Sequence, residues 1–295
     1  MEAASRREFL TAGAAVPLAR ASTERRTPVN APYAGLLAGK NAVIYGAAGS
    51  IGSTVARAFA AEGAHVFLAG RTFEKVERLA REITSTGGAA TPARVDALAR
   101  DAVENHLADV ARNHGAIHIS FNLIGIDGMQ GDPLTAMNAD SFTLPIENAM
   151  RTHYLTATAA ARHMATHRNG VILALTAQVA RKPYTGSGGF GVACAAIEGL
   201  CRQLAIELGP QGTRVITLRS SGSPDAPGVS AAIAEHARMA GVSREVFEAR
   251  IAEKTMLRRM PRMAEIANAA VLMASERASA VTAAVTNVTC GEIAD

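Results

Sequence analysis

The chain has 295 residues, of which 48% are hydrophobic and 19% charged, so it can bury a sizeable core and is not a disordered protein. It has no Trp and 4% aromatic residues, and its 30 Lys and Arg are interspersed with 26 Asp and Glu, which argues against a nucleic-acid partner. Its three cysteines lack the Cys-x-x-Cys spacing of a zinc site and are too few for a disulfide framework. No run of eighteen apolar residues occurs, so we expect no membrane span.

The first 32 residues read as a separate tail. Arg6 and Arg7 precede a mildly apolar run, 10–19, and the small-x-small stretch 19–21 has the form of a cleavage site. The pattern is similar to a twin-arginine export signal, an address for a pathway that moves folded proteins. The alternative is a frayed tail on a cytoplasmic protein. Residues 22–32 are rich in Pro, Thr and charge and predict a linker, so we expect one domain over 33–295.

From residue 40 onward, short apolar segments alternate with longer helical patterns, which is typical of βαβ units. The predicted fold class is α/β: a doubly wound Rossmann fold with a seven-stranded, mostly parallel sheet and helices on both faces. An irregular segment, 220–261, is expected before the last helix. Predicted strands are 41–45, 65–69, 91–95, 117–123, 171–175, 214–218 and 284–288; predicted helices are 51–62, 73–85, 100–113, 141–167, 190–208 and 264–274.

A glycine-rich turn follows the first predicted strand and opens the first predicted helix. It comprises Gly46, Gly49, Ser50, Ile51 and Gly52. Glycines allow close approach of the backbone, and the amides of a helix N-terminus attract a pyrophosphate. A tight turn without a ligand is the alternative for a glycine cluster alone, but the order of strand, glycine loop and helix favours a dinucleotide site.

The second predicted strand is followed by Gly70, at the position where an NAD-binding loop usually carries an acidic residue for the ribose hydroxyls, and then by Arg71. A carboxylate repels a 2′-phosphate, whereas a guanidinium binds it through two charge-assisted hydrogen bonds. The sequence therefore favours NADP(H) over NAD(H). The alternative is an ordinary solvated arginine.

Over about 39–291 the chain resembles the short-chain dehydrogenase/reductase family. The glycine loop keeps the first and last glycine of the family's Gly-x-x-x-Gly-x-Gly, with Ser50 at the middle one. Asp96 falls where the family's adenine-contacting Asp lies, and Asn122 and Gly125 match the ends of its Asn-Asn-Ala-Gly stretch. The resemblance implies a homodimer or homotetramer that acts on a small-molecule substrate. The residues expected to bind the cofactor are Gly46, Gly49, Ser50, Ile51, Gly52, Arg71, Asp96, Asn122 and Gly125.

The resemblance also locates the family's Asn-Ser-Tyr-Lys tetrad, in which the Tyr phenol exchanges a proton with the substrate and the Lys lowers the phenol pKa. In this chain the Tyr position holds Phe190 and the Lys position Cys194. The Ser position holds Ala177 and the Asn position Ala149. All four positions depart from the family pattern, so the resemblance implies an atypical active site.

Three residues are candidates for the missing proton donor. Tyr184 lies in the loop before the helix that normally carries the tyrosine, with Lys182 two residues away. His153 stands on the helix face of Ala149 and titrates near neutral pH when unperturbed. Thr176 neighbours the Ser position, but adjacent strand residues point to opposite faces. Each residue has a purely structural alternative. Tyr184 would be a ring that packs in the loop, His153 a core histidine, and Thr176 a hydroxyl that points away from the site.

Two classes of function remain. The first is an NADP(H)-dependent oxidoreductase with a non-standard proton donor, acting on a small hydrophobic carbonyl or a polarised double bond. The second is a Rossmann protein without redox turnover: a nucleotide or ligand sensor, a scaffold, or a non-redox catalyst. The 220–261 segment lies where family members form a substrate lid, and its apolar residues suggest a hydrophobic substrate surface or ordinary helix packing.

Overall fold

The computed structural model describes residues 35–126, 128 and 131–295, and only the backbone at 231, 232, 235, 236 and 239. The predicted tail and export signal at 1–32 lie outside the described residues.

A seven-stranded sheet forms the centre of the described chain, and every neighbouring pair of strands is parallel. The strand order is β3-β2-β1-β4-β5-β6-β7, so it reverses between β1 and β4. Most strands are buried on both faces, which explains their nearly continuous apolar sequences. The predicted fold class is confirmed. The strands are β1 Asn41–Tyr45, β2 His65–Gly70, β3 Ala89–Arg94, β4 Ile119–Asn122, β5 Gly170–Ala177, β6 Thr213–Ser220 and β7 Ala284–Val288.

Helices cover both faces of this sheet. Helix α2 shows why the helices pack there. Its buried residues recur at helical spacing and form an apolar stripe that packs on the sheet: Val76, Leu79, Ala80 and Ile83. One core lies between the sheet and α1, α2 and α8, and the other between the sheet and α3, α4 and α5. The helices are α1 Ser50–Ala61, α2 Phe73–Ser85, α3 Arg100–His114, α4 Ala139–Ala165, α5 Gly188–Leu208, α6 Pro227–Met239, α7 Arg244–Ala252 and α8 Met263–Ala274.

The expectation of an irregular 220–261 segment is wrong in part, because α6 and α7 occupy much of it. The side chain of Ser243 caps α7 by accepting a hydrogen bond from the amide of Val246. Helix α7 has nine residues and buries none of them completely. A helix this short and this exposed has no apolar stripe long enough to reveal it in the sequence.

Helix α5, continued to Gln211, is long and apolar enough to cross a membrane by length and composition. Its apolar face instead packs in the core beside α4, where Ile197, Leu204 and Ala205 are buried. We therefore interpret α5 as a core helix that packs against the sheet.

Candidate active site

A cleft of about 540 Å³ opens at the carboxyl ends of β1, β2, β3 and β4. It lies where the strand order reverses, the place where open α/β sheets bind their ligands. The loops after these four strands line it, together with Asn148, Ala149 and Thr152 of α4.

The glycine turn after β1 is shaped for close contact. Gly46 has φ of +70°, and a Cβ there would lie 2.6 Å from the carbonyl oxygen of Leu123. A Cβ on Gly52 would lie 2.3 Å from the carbonyl oxygen of Gly46. Gly49 caps α1 without a side-chain hydrogen bond, so the first amides of the helix are available to a ligand. The turn therefore fits the pyrophosphate of a dinucleotide.

Five of the nine predicted cofactor residues line the cleft: Gly46, Gly49, Arg71, Asp96 and Gly125. The other four are Ser50, Ile51, Gly52 and Asn122; the first three begin α1, and Asn122 ends β4.

The buried Asn122 shapes the loop beside the cleft. Its Oδ1 accepts a hydrogen bond from the amide of Ile124 at 3.0 Å, and its Nδ2 donates to the Thr156 hydroxyl at 3.3 Å. Asp96 orders the next loop in a similar way, because its Oδ1 accepts from the amide of Leu98. Both side chains thus hold the backbone that a cofactor would contact.

The sequence reasoning missed Thr72 and Lys75, which line the cleft beside Arg71. Lys75 lies in the first turn of α2, just after the loop that carries Arg71, and that proximity along the chain was the available signal. Two cationic side chains therefore face the cleft next to Gly70.

Thr176 is buried, with 4% of its surface exposed, and its hydroxyl donates a hydrogen bond to Glu198 Oε1 at 3.1 Å. The same carboxylate binds the guanidinium of Arg219. The structure places this hydroxyl in a buried ionic network on the α5 side of the sheet.

His153 is also buried, and its Nδ1 shares a 2.8 Å hydrogen bond with the carbonyl oxygen of Ala149. Because a carbonyl only accepts, Nδ1 carries the proton. Among the described residues, Nε2 has no hydrogen-bond partner, and His153 is one of the residues that line a cavity of about 10 Å³. Burial lowers the pKa of His153 to about 4, so the ring is neutral near pH 7.

Tyr184 is 44% exposed, in the loop between β5 and α5. Burial raises its phenol pKa, and the neighbouring Cys194 and Glu292 raise it further. The Nζ of Lys182 lies 3.6 Å from Glu292 Oε1. The structure thus brings Tyr184, Cys194 and Glu292 together, whereas Thr176 and His153 are buried in the core. Which of the three candidates donates a proton stays a prediction.

The positions that the resemblance assigned to the tetrad have distinct environments. Cys194 is completely buried on α5, and burial raises its pKa to about 11. Ala149 lines the cleft. Ala177 ends β5 and pairs with Ser220 of β6.

Three charged residues near the ends of β5, β6 and β7 were missed: Glu198, Arg219 and Glu292. Glu198 carried a signal, since it is an acid between Ile197 and Cys201 on a helix face that is otherwise apolar. Arg219 and Glu292 gave no such signal in the sequence, because their partners lie 21 to 110 residues away along the chain.

Comparisons with known proteins agree with this geometry. A family model described as enoyl-(acyl carrier protein) reductase matches residues 46–292. Short chain aldehyde dehydrogenase 1 of Euphorbia lathyris is 30% identical over 251 residues, which cover 85% of this chain and 86% of that protein.

Two solved structures share the fold. A gluconate 5-dehydrogenase from Burkholderia cenocepacia, in complex with NADP and tartrate, superposes with a TM-score of 0.77 at 24% identity, over 87% of this chain and 96% of that one. A 7α-hydroxysteroid dehydrogenase complexed with NADH has a TM-score of 0.75 at 24% identity, over 88% of this chain and 96% of that one. Both forms of the nicotinamide cofactor therefore occur in proteins of this fold.

Proposed function

Since the chain belongs to the short-chain dehydrogenase/reductase family and is an oxidoreductase of that type, we propose that it depends on NADP(H) and uses an atypical active site. The proposed substrate is a small hydrophobic carbonyl compound or a polarised double bond. The bound cofactor would supply or accept the hydride. The chain's own residues would bind the substrate, orient it and supply its proton.

The observation that carries the cofactor preference is the end of β2. Gly70 stands where a carboxylate would select NAD(H), and Arg71 and Lys75 line the cleft beside it. Two cations at this edge favour a 2′-phosphate, since a guanidinium can grip it with two hydrogen bonds and an ammonium adds a point charge.

The proposed proton donor is Tyr184. It is half-exposed, whereas the Thr176 hydroxyl is bound to Glu198 and His153 is buried and neutral. Its raised pKa keeps the phenol protonated, which suits a group that donates a proton as the hydride arrives. A weak donor favours substrates that need little acid assistance, such as an activated double bond.

A binding titration tests the cofactor preference. We expect NADPH to bind the wild type more tightly than NADH, and Arg71→Ala to weaken NADPH binding by about 10- to 100-fold, the effect of charged hydrogen bonds. Arg78→Ala is the matched control, because Arg78 is exposed on α2 outside the cleft lining. Equal weakening by both variants would contradict the assignment of Arg71.

Turnover is tested by NADPH oxidation with a panel of ketones, enones and iminium compounds. Saturable oxidation with at least one class supports an oxidoreductase. Tight NADPH binding without oxidation by any of them would favour the alternative function, a Rossmann protein that binds the nucleotide without redox turnover.

A further inference from the structure

The segment after β7, residues 289–295, contacts the loops at the Tyr184 end of the sheet. Glu292 Oε2 accepts a hydrogen bond from the Ser221 hydroxyl at 2.6 Å, and its Oε1 lies 3.6 Å from the Nζ of Lys182. Glu292 therefore joins the end of β6 to the loop between β5 and α5.

The backbone of the 289–295 segment is fixed by the chain that follows α7. The amide of Met256 donates to the carbonyl oxygen of Gly291 at 3.2 Å, and the amide of Leu257 donates to that of Cys290 at 3.0 Å. Gly291 has φ of +76°, and a Cβ there would lie 2.6 Å from the Cβ of Met256. Only glycine fits this contact, so the position of Glu292 is set by close packing as well as by hydrogen bonds.

The far end of the segment is anchored in the core. Asp295 pairs with the guanidinium of Arg219, whose side chain is 3% exposed and also binds Glu198. The segment is thus held on both sides of Glu292.

We propose that Glu292 is a positioning residue: it holds Lys182 and thereby the loop that carries Tyr184, the proton donor of the proposed function on which this inference rests. Pro183 lies between Lys182 and Tyr184. Proline fixes its own φ and restricts the residue before it, so fixing the Lys182 side chain also limits where the Tyr184 ring can go.

The burial of Glu292 distinguishes this contact from an ordinary surface ion pair. Exposed pairs contribute little to stability, and Lys182 is half-exposed. The Glu292 carboxylate, however, is 14% exposed and already oriented by Ser221. A carboxylate held in place loses little entropy when Lys182 binds, so the pair is able to order a loop.

Hydrogen exchange on the cofactor-free protein tests the positioning. We expect Glu292→Gln to accelerate exchange of the amides of 184–188 by about tenfold, the effect expected for the loss of one charge-assisted contact. Lys182→Met should give the same acceleration, and the double variant should add little to it. Glu276→Gln is the matched control, because Glu276 binds Lys40 at 2.6 Å in another ion pair between two elements. Equal exchange in Glu292→Gln and Glu276→Gln would overturn the proposal.

A titration of Tyr184 gives a second readout that a general loss of stability would not produce. With the tyrosines labelled at the ring carbon bonded to oxygen, the Tyr184 resonance should titrate above the ordinary range of a tyrosine in the wild type and at lower pH in Glu292→Gln, because a nearby negative charge is lost. An unchanged midpoint would place Glu292 too far from the phenol to position it.

The proton-donor role of Tyr184 and the positioning role of Glu292 can be contradicted independently of each other. If Tyr184→Phe retains full turnover while Glu292→Gln still loosens 184–188, the proton-donor assignment is wrong and the positioning contact stands. If Tyr184→Phe loses turnover and Glu292→Gln changes neither exchange nor titration, only the positioning role is wrong.

Discussion

Arg219 of β6 and Glu198 of α5 form a bidentate ion pair inside the protein, with Nε–Oε1 and Nη2–Oε2 distances of 2.8 Å. Both side chains are at least 95% buried. Thr176 donates a further hydrogen bond to the carboxylate, and Asp295 pairs with the guanidinium. The hydrogen bond to Glu198 raises the pKa of Arg219 above its ordinary value, so the guanidinium keeps its charge at any physiological pH.

Breaking this pair should be strongly destabilising. Glu198→Gln removes the buried one of the two carboxylates that compensate the guanidinium, and because Asp295 remains we expect the free energy of unfolding to fall by about 3 kcal/mol in urea titrations. Glu198→Leu combined with Arg219→Met removes both charges and should recover most of that loss, since apolar side chains of similar volume often replace buried pairs at little cost. A double variant less stable than Glu198→Gln would contradict this account.

The sequence predicted the features that depend on neighbouring residues. The order of β1, glycine turn and α1 is local, and the buried stripe of α2 follows from its own spacing. Contacts such as Lys182 with Glu292 depend on how loops from different strands meet, and no local pattern encodes that meeting. The direction of the Thr176 hydroxyl was likewise unpredictable, because it is set by Glu198, 22 residues later.

The glycine turn offers a prediction with an internal control. Gly52→Ala places a Cβ 2.3 Å from the Gly46 carbonyl oxygen, so the turn must shift and we expect NADPH affinity to fall by at least about tenfold. At Gly49 the corresponding distance is 3.3 Å and φ is −70°, so alanine fits the backbone conformation and requires only a shift of a few tenths of an ångström. Fluorescence titration should therefore rank the variants as wild type, then Gly49→Ala, then Gly52→Ala. Wild-type affinity in both variants would show that the turn is not the nucleotide cradle.

Two histidines, the buried His153 and the partly buried His106, predict acid sensitivity. Burial lowers the pKa values of His106 and His153 from 6.5 to about 4. The unfolded chain binds these protons below about pH 6.5, whereas the folded chain does not until about pH 4. The free energy of unfolding is therefore highest, as far as these two histidines determine it, above pH 6.5. It falls as the pH decreases towards 4, by up to about 1.4 kcal/mol per pH unit for each histidine.

Urea midpoints measured from pH 7.5 to 4.5 test this slope. His153→Gln should make it shallower by about one proton, and His167→Gln, which changes an exposed histidine, serves as the control. An unchanged slope in His153→Gln would mean that the ring is not buried in its neutral form.

Variants of Tyr184 and Thr176 distinguish the two residues as candidate proton donors, because each assignment predicts that a different variant loses activity. Tyr184→Phe removes one hydroxyl from the half-exposed loop, and we expect kcat to fall by about 10²- to 10⁴-fold with NADPH affinity unchanged. Tyr154→Phe makes the same change on an exposed ring of α4 and controls for the substitution itself. Thr176→Val should leave kcat within a few-fold and lower stability by about 1–3 kcal/mol, because the hydroxyl is bound to a charged group in the core. If Thr176→Val instead abolishes turnover while Tyr184→Phe retains it, the donor lies on β5, and the hydrogen bond to Glu198 must open during the reaction.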